Sequence, residues 1–439
     1  MKQVLDHVVA GNFGSALTRL WVLAEGSENS IQRLSLWQQR WDNGIHQQRL
    51  NEYKKLFHHG KQDPFPFDAA EYPLALIEAL DIFHATERPT SAVVTKSSAH
   101  DLDIEGTKYY LLRRPPFGNI KPPAERQSPN LEKYFRHFRV VPNHVKIGGA
   151  KIEVRIEFLE YVSPQYVPEA ENLHFRITHF RDEAALQLDE DSENGRFFVT
   201  GLDRKKDREN SLAAELETVR NDAVSLWVVP ELTVSPDLRH QLANWLAEHP
   251  AKNLLLCVPG SFHEQDGANR VNRSIVLNAN GRSVTYQDKC SQFSFPSDQG
   301  ELHEHIIARR AVTLLVTPIG LVGIAICKDH FDAGADGLLH AAWDRLAPDW
   351  LLVPSMGDGK TVKAHQRRAR DNWNIRHTRT LVANQEPRTT SYSPDPAPGF
   401  IHRTDNPEPV TAGGSTFAPP TLPTTPLLGN RKPPLKAVK

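Results

Sequence analysis

Between about residue 150 and residue 385, short apolar runs alternate along the chain with segments of helical periodicity. The runs VSLWVV (224 to 229), NLLLCV (253 to 258) and DWLLVPS (349 to 355) are apolar on both faces. Such runs are typical of strands that are covered on both sides, and the helical segments between them can supply the cover. An Asn280-Gly281 pair between two further runs adds a hairpin. The pattern predicts a layered α/β domain whose sheets are covered by helices.

The regions on either side of this domain have a different sequence pattern. In the first sixty residues the apolar positions recur at intervals of three and four, which predicts helices on about 1 to 20 and 31 to 57, and a short apolar helix is expected at 74 to 83. Twelve of the 32 prolines lie between Pro387 and Pro434, so the end of the chain is expected to be extended. We therefore divide the chain into a mainly helical accessory domain of unknown role (1–145), an α/β domain (146–425) and a Pro-rich, basic tail (426–439).

Composition and charge narrow the class of protein. The chain has 52 Lys and Arg against 53 Asp and Glu, so it has no overall field that would attract nucleic acid or a membrane surface. Its three cysteines show neither a disulfide framework nor the spacing of a zinc site, and the histidines lack paired ligand spacing. No long apolar window and no signal-like N-terminus are present, and we predict a cytoplasmic protein with no metal and no cofactor.

Chemically capable side chains follow three of the predicted strands. Glu231 comes after VSLWVVP, Lys289 after SVTYQD, and Cys327 after LVGIAI, where Lys328 and Asp329 follow it. In open α/β sheets, reactive groups lie just beyond the carboxyl ends of strands. A thiol needs a nearby base or cation to become a nucleophile, which a carboxylate and an ammonium group can supply. These three residues therefore indicate nucleophilic acyl chemistry.

The settings of these residues resemble motifs of the nitrilase superfamily of carbon-nitrogen hydrolases. The order Glu, Lys, Cys in VVPEL, YQDK and GIAICKD matches that family, and LLVPSM (351 to 356), LVANQ (381 to 385) and GGSTFAPP (413 to 420) resemble three of its later strands. The resemblance covers about residues 195 to 420. It implies a four-layer αββα sandwich and hydrolysis of a non-peptide amide or nitrile, more often an amide, through a covalent acyl-enzyme.

The resemblance also implies a role for each residue. Glu231 corresponds to the general base, Lys289 to the cation beside the developing oxyanion, and Cys327 to the nucleophile. The backbone N–H of Lys328 would line the oxyanion hole, and Asp329 would support the site from behind. A second glutamate is common in the family between the lysine and the cysteine. Glu301 and Glu304 are the candidates, and spacing favours Glu301.

Other functions stay open at this stage. The chain could be an effector or accessory module of a multi-protein bacterial system, with or without turnover, that docks through residues 1–145. It could also be an acyltransferase that uses the same Cys327 thioester. A small-molecule amide or nitrile and a second copy of the chain are the expected partners. The basic segment 363–379 leaves nucleic acid open, although a solvated helix face is favoured. Cys257 is expected to be a buried core residue, and Cys290, next to Lys289, is expected to have no role in the reaction.

Overall fold

The structure of the chain is a computed structural model. The residues that it describes are 1–25, 37, 43–59, 72–87, 100–114, 134–159, 173–180, 186–191, 193–297, 300–332, 338–385, 399–402 and 408–409. The predicted strand at 413 to 420 and the tail 426–439 lie outside these residues, as does most of 31 to 42. Within the described part, no helix is both long enough and apolar enough to cross a membrane.

In the α/β domain, helices and strands alternate as the sequence pattern predicts. The helices are α1 (Lys2–Val9), α2 (Phe13–Glu25), α3 (Asn43–His59), α4 (Pro73–Glu87), α5 (Lys205–Asn221), α6 (Pro236–Glu248), α7 (Lys328–Phe331), α8 (Leu338–Leu346) and α9 (Gly359–Arg376). The first strands are β1 (His100–Ile104), β2 (Thr107–Arg113), β3 (Phe138–Pro142), β4 (His144–Ile147), β5 (Ala150–Phe158), β6 (Phe175–Ile177), β7 (Leu186–Asp191), β8 (Arg196–Leu202), β9 (Leu226–Val228) and β10 (Leu256–Val258). The later strands are β11 (Phe262–Asp266), β12 (Asn269–Leu277), β13 (Ser283–Asp288), β14 (Ser294–Ser297), β15 (Gly300–Glu304), β16 (Ala311–Thr317), β17 (Gly320–Ile324), β18 (Trp350–Met356), β19 (Arg379–Gln385), β20 (Gly399–His402) and β21 (Glu408–Pro409).

Two large sheets form the centre of the α/β domain. One has the order β11-β12-β10-β9-β6, with β13 paired to β12, and the other has the order β21-β20-β19-β18-β17-β16-β5-β4. Strands β6, β9 and β10 run parallel to one another, as do β17, β18 and β19. A smaller sheet, β14-β15-β8-β7, lies beside them, and β11 contacts β8.

Successive side chains of the central strands point to opposite faces of each sheet, and this alternation defines the layers of the α/β domain. In β9, Leu226 and Val228 belong to a core shared with Leu352 and Leu381 of the other sheet, so this core lies between the two sheets. Trp227, which points the other way, packs in a core with residues of α5 and α6. On the far side of the second sheet, strand residues share a third core with α8 and α9. The result is the αββα sandwich that the sequence implied, so the predicted fold class is confirmed.

The first part of the chain is mainly helical, as predicted, but it also holds a sheet. Helices α1 to α4 share a core with residues of β2 and β3, and β1-β2-β3 form a three-stranded antiparallel sheet. The sequence pattern predicts helices in this part of the chain and no strand, so this sheet is a difference from the prediction. The predicted boundary between residues 145 and 146 falls inside β4 (His144–Ile147), which pairs with β5 in the large sheet. The large sheet of the α/β domain therefore includes the whole of β4.

The two parts of the chain are packed together. Leu112 of β2 and Val141 of β3 are buried in the same core as α8. Nη2 of Arg139 donates a hydrogen bond of 2.9 Å to Oδ1 of Asp349, and both side chains are almost fully buried. The N-terminal region is thus part of the hydrophobic structure around the second sheet.

Candidate active site

Glu231 lies just past β9, on a turn that is held by its neighbours. The following residue, Leu232, has a φ of +56°, which is uncommon for a side chain other than glycine. Gly260 also has a positive φ, and a Cβ atom there would lie 2.1 Å from the carbonyl oxygen of Pro230. Only glycine therefore fits at position 260, beside this turn. The Glu231 side chain is directed into the interior of the protein, where it is 2% exposed.

The ammonium group of Lys289 lies between two carboxylates. Its Nζ atom donates hydrogen bonds of 2.8 Å to Oε1 of Glu231 and 2.9 Å to Oε2 of Glu304. All three side chains are 2% exposed. Burial alone would lower the pKa of Lys289, but the two carboxylates outweigh it and raise that pKa well above its usual value. Lys289 is therefore a permanent cation.

Glu304, and not Glu301, is the second glutamate of this cluster. Besides Lys289, its carboxylate accepts hydrogen bonds from Nδ2 of Asn272 (2.9 Å) and from the backbone N–H of Phe293 (2.9 Å). Burial alone would raise the pKa of Glu304, but Lys289 and His263 hold it well below the usual range. Glu301 is exposed and bonds to Ser294, so the spacing argument that favoured Glu301 was wrong.

His263 and Asn272 complete this charged cluster, and the sequence analysis named neither. Nδ1 of His263 accepts from the backbone N–H of Val199 at 2.7 Å, so the neutral ring carries its proton on Nε2 and donates it to Glu304 at 2.8 Å. Nδ2 of Asn272 bridges Glu231 and Glu304. Strands β11 and β12, which carry these two residues, thus hold both carboxylates in place.

Cys327 sits at a strained point of the backbone between β17 and α7. Its φ of +44° with ψ of −109° is costly for a residue with a Cβ atom. Its N–H donates to the carbonyl of Pro354 at 2.8 Å, which ties the turn to β18. Lys328 begins α7, and the first N–H groups of a helix have no partner inside it. The turn therefore presents the sulfur together with a backbone N–H.

The Cys327 sulfur is a thiol in the resting protein. Burial and the Glu231 carboxylate raise its pKa to about 12, although the Lys289 charge and a hydroxyl donor act in the opposite direction. Ser355 donates its hydroxyl proton to the sulfur at 3.5 Å, and the sulfur lies 3.8 Å from the carbonyl oxygen of Met356. A preformed thiolate is therefore not the ground state, and a base must take the proton when the sulfur reacts.

Asp329 joins the Cys327 turn to the segment after Lys289. Its carboxylate accepts from the backbone N–H groups of Cys290 (3.0 Å) and Ser291 (2.7 Å). Burial raises the pKa of Asp329 to about 7, although these N–H groups act to lower it. The side chain of Lys328 is directed elsewhere, since its Nζ atom donates to the carbonyl of Gln292 at 3.0 Å. Of Lys328, only the backbone is at the turn.

The remaining sequence candidates fall outside this cluster. Cys257 is fully buried between strands, and burial raises the pKa of its thiol. Cys290 is buried in the core beneath the second sheet. In the basic segment 363–379, Arg368 pairs with Asp344 at 2.6 Å, whereas Arg367 and Arg370 are exposed. This distribution is that of a helix with one buried face and one solvated face.

Two buried histidines, His330 and His365, lie behind Cys327, and they should make the stability of the protein depend on pH. Burial lowers the pKa of His365 to about 3 and that of His330 well below its usual value. An unfolded histidine takes up its proton near pH 6.5, so between pH 6.5 and pH 3 the unfolded state binds more protons and stability falls as the pH falls. Relative to His365→Gln, the free energy of unfolding of the wild type should drop by about 2 kcal/mol more between pH 6.5 and pH 5.

Urea unfolding at pH 7.5 and pH 5.0 measures this difference. His240→Gln, at an exposed histidine of α6, is the matched control and should keep the pH dependence of the wild type. Equal pH dependence in His365→Gln and the wild type would show that His365 is not held neutral.

Several solved structures are similar to part of this chain. No protein-family model and no curated protein matches the chain. Among solved structures, a mutant of the amidase from Nesterenkonia AN1, of the nitrilase superfamily, is similar with a TM-score of 0.38 and 13% identity, over 57% of this chain and 90% of that one. Nit3 of Saccharomyces cerevisiae, of the same superfamily, is similar with a TM-score of 0.37 and 16% identity, over 54% and 84%. A further Nesterenkonia amidase structure (TM-score 0.35, 13% identity, 50% and 79% covered) has the acetamide moiety of fluoroacetamide covalently added at its active-site cysteine.

Proposed function

We propose that the chain is a thiol-dependent hydrolase of carbon-nitrogen bonds, an amidase of the nitrilase superfamily. The observation that carries this proposal is the buried cluster of Glu231, Lys289 and Glu304 beside the strained turn of Cys327. A cation locked between two carboxylates next to a thiol is costly to bury, and such arrangements concentrate at functional sites. The αββα sandwich and the motif order support the same assignment.

The chemistry begins with attack by the Cys327 sulfur on the carbonyl carbon of an amide. As the S–C bond forms, the thiol proton passes to Glu231, and the carbonyl oxygen becomes an oxyanion. The ammonium of Lys289 uses two of its three N–H bonds on Glu231 and Glu304. We assign the third, together with the backbone N–H of Lys328, to the oxyanion.

The tetrahedral intermediate then collapses. The C–N bond breaks as Glu231 returns the proton to the leaving nitrogen, and ammonia or an amine departs and leaves a thioester. Water attacks this thioester, Glu231 takes a proton from the water, and the proton returns to the Cys327 sulfur as the acid is released. Because the resting sulfur is a thiol, Glu231 is required in both halves of the reaction.

Alkylation by iodoacetamide tests the nucleophile without knowledge of the substrate. At pH 8, peptide mass spectrometry should show that Cys327 is labelled at least about tenfold faster than Cys257 and Cys290, because Glu231 lies close enough to act on the Cys327 thiol and can take its proton as the sulfur attacks. In urea all three cysteines should react at similar rates. Equal and slow labelling of the three in the folded protein would contradict the proposal.

A substrate screen follows from the same chemistry. Small carboxamides and nitriles are incubated with the wild type, and ammonia release is measured with and without hydroxylamine as an alternative acceptor. Ammonia with free acid indicates hydrolysis, whereas formation of hydroxamate at the expense of acid indicates that the thioester can pass to an amine. Release from nitriles but not from amides would contradict the amidase assignment.

A further inference from the structure

We infer that Ser355 is a catalytic residue that donates a hydrogen bond to the Cys327 sulfur, and that His365, His330 and Asn372 are positioning residues that hold its hydroxyl in that orientation. This inference rests on the proposed role of Cys327 as the nucleophile. It adds to the charged cluster a second, uncharged set of side chains from strand β18 and from helices α7 and α9.

The four side chains form a continuous chain of hydrogen bonds. Nδ2 of Asn372 lies 3.3 Å from Nε2 of His330, and Nδ1 of His330 lies 2.8 Å from Nδ1 of His365. Nε2 of His365 lies 3.0 Å from Oγ of Ser355, which in turn lies 3.5 Å from the sulfur. Ser355, His365 and His330 are fully buried and Asn372 is 3% exposed.

The donors and acceptors fix one direction along this chain. The Asn372 amide donates, so Nε2 of His330 accepts, and the single proton of this neutral ring must lie on Nδ1. Nδ1 of His365 then accepts that proton, and its own proton lies on Nε2, where it is donated to Ser355. The Ser355 hydroxyl, whose oxygen accepts from His365, has its own proton left for the sulfur.

Packing keeps the two rings neutral and in place. The rings of His330 and His365 are stacked with centroids 5.1 Å apart, and the edge of Phe331 packs against His365 at 4.8 Å. The charged or titratable groups that act on His330 are His365, Arg368 and His340, and Arg368 is itself paired with Asp344. Burial disfavours a proton on either ring, and the Arg368 cation adds to this effect at His330.

This direction has a chemical consequence. A histidine near a catalytic cysteine commonly acts as its base, but Nε2 of His365 already carries a proton and donates it to Ser355. His365 therefore cannot accept the thiol proton, which leaves that role to Glu231. The chain instead stabilises the sulfur as negative charge develops, without adding a charge to the site.

The rate of iodoacetamide alkylation of Cys327 between pH 7 and pH 9 tests the inference. Ser355→Ala should slow the reaction about three- to tenfold across this range, because loss of a donor raises the pKa of the thiol and lowers the thiolate fraction. His365→Leu should slow it similarly, since the hydroxyl is no longer oriented. His365→Gln keeps an N–H donor for Ser355 and should restore most of the wild-type rate. Arg367→Gln, on the exposed face of α9, is the matched control.

The outcomes separate this inference from the proposed function. If Cys327 of the wild type reacts no faster than Cys257, the role of Cys327 as the nucleophile fails. If it reacts quickly and Ser355→Ala is unchanged, only the inference fails. If His365→Gln is as slow as His365→Leu, His365 acts as an acid or base and the direction of the chain is wrong. Because none of these readouts requires turnover, they do not depend on the substrate.

Discussion

Replacement of Cys327 by alanine should lower kcat for amide hydrolysis by about 10⁴-fold or more, with the fold unchanged. The proposed reaction passes through a bond to the sulfur, and removal of a covalent nucleophile in comparable enzymes costs rate factors of that order. The side chain is small and 3% exposed, and its sulfur takes part in two long hydrogen bonds, so its loss should affect stability far less than activity. The measurement is ammonia release from the best amide of the screen.

Two further variants test the base and provide a control for this result. Glu231→Gln should also lower kcat, by about 10²- to 10⁴-fold, because the thiol keeps its proton without a base. Cys257→Ala is the matched control, since Cys257 is fully buried in the core beneath α5 and α6 and has no place in the reaction. Activity above a tenth of the wild type in Cys327→Ala would refute the covalent mechanism.

Replacement of Lys289 by methionine should have the largest effect on stability. Methionine is close to lysine in shape, but it leaves Glu231 and Glu304 facing each other in a dry interior without their shared cation. Breaking a buried ion pair by removing one partner costs about 3–5 kcal/mol, because the remaining charge is uncompensated. Urea unfolding of the purified variant at pH 7.5 measures this loss.

A second substitution shows whether charge is the cause. Lys289→Met combined with Glu304→Gln removes one of the two carboxylates and should recover a part of the lost stability, about 1–2 kcal/mol. Lys205→Met is the matched control, because its pair with Asp237 is exposed and such pairs contribute at most about 1 kcal/mol. If Lys289→Met is no less stable than Lys205→Met, the cluster is not a coupled charged unit.

The sequence was sufficient to predict the central sheets and to nominate three residues of the candidate site. Glu231, Lys289 and Cys327 could be nominated because each follows a predicted strand, and a strand that ends at a sheet edge leaves the next polar residue at that edge. The structure brings Glu231 and Lys289 into contact and places Cys327 where both charges act on its thiol.

The choice between Glu301 and Glu304 cannot be made from the number of residues that separates each of them from Cys327. Spacing along the chain favours Glu301, but both residues lie in strand β15, where successive side chains point to opposite faces. Leu302 and Glu304 share the buried face, whereas Glu301 is exposed. The apolar Leu302 is the sequence signal for Glu304: Leu302 is expected on the buried face of the strand, and a residue two positions further along shares that face.

The chain from Asn372 to Ser355 could not be predicted in the same way. Its members come from α7, β18 and α9, and their contacts depend on how a helix packs over a sheet rather than on any local pattern. The sheet β1-β2-β3 was missed for a related reason. Its third strand pairs with its second only after a separation of more than twenty residues in which prolines interrupt any periodicity.

The buried pair between Arg139 and Asp349 has a consequence for experiments on the N-terminal region. The same Asp349 carboxylate accepts from the backbone N–H of Leu321 at 2.8 Å, at the start of the strand that leads to Cys327. A truncation of residues 1–145 would remove the counter-ion of this carboxylate and an edge strand together. Loss of function in such a truncation would therefore report damage to the α/β domain as much as loss of a docking element. Charge reversal at exposed positions of α1 or α3, in the intact chain, separates the two.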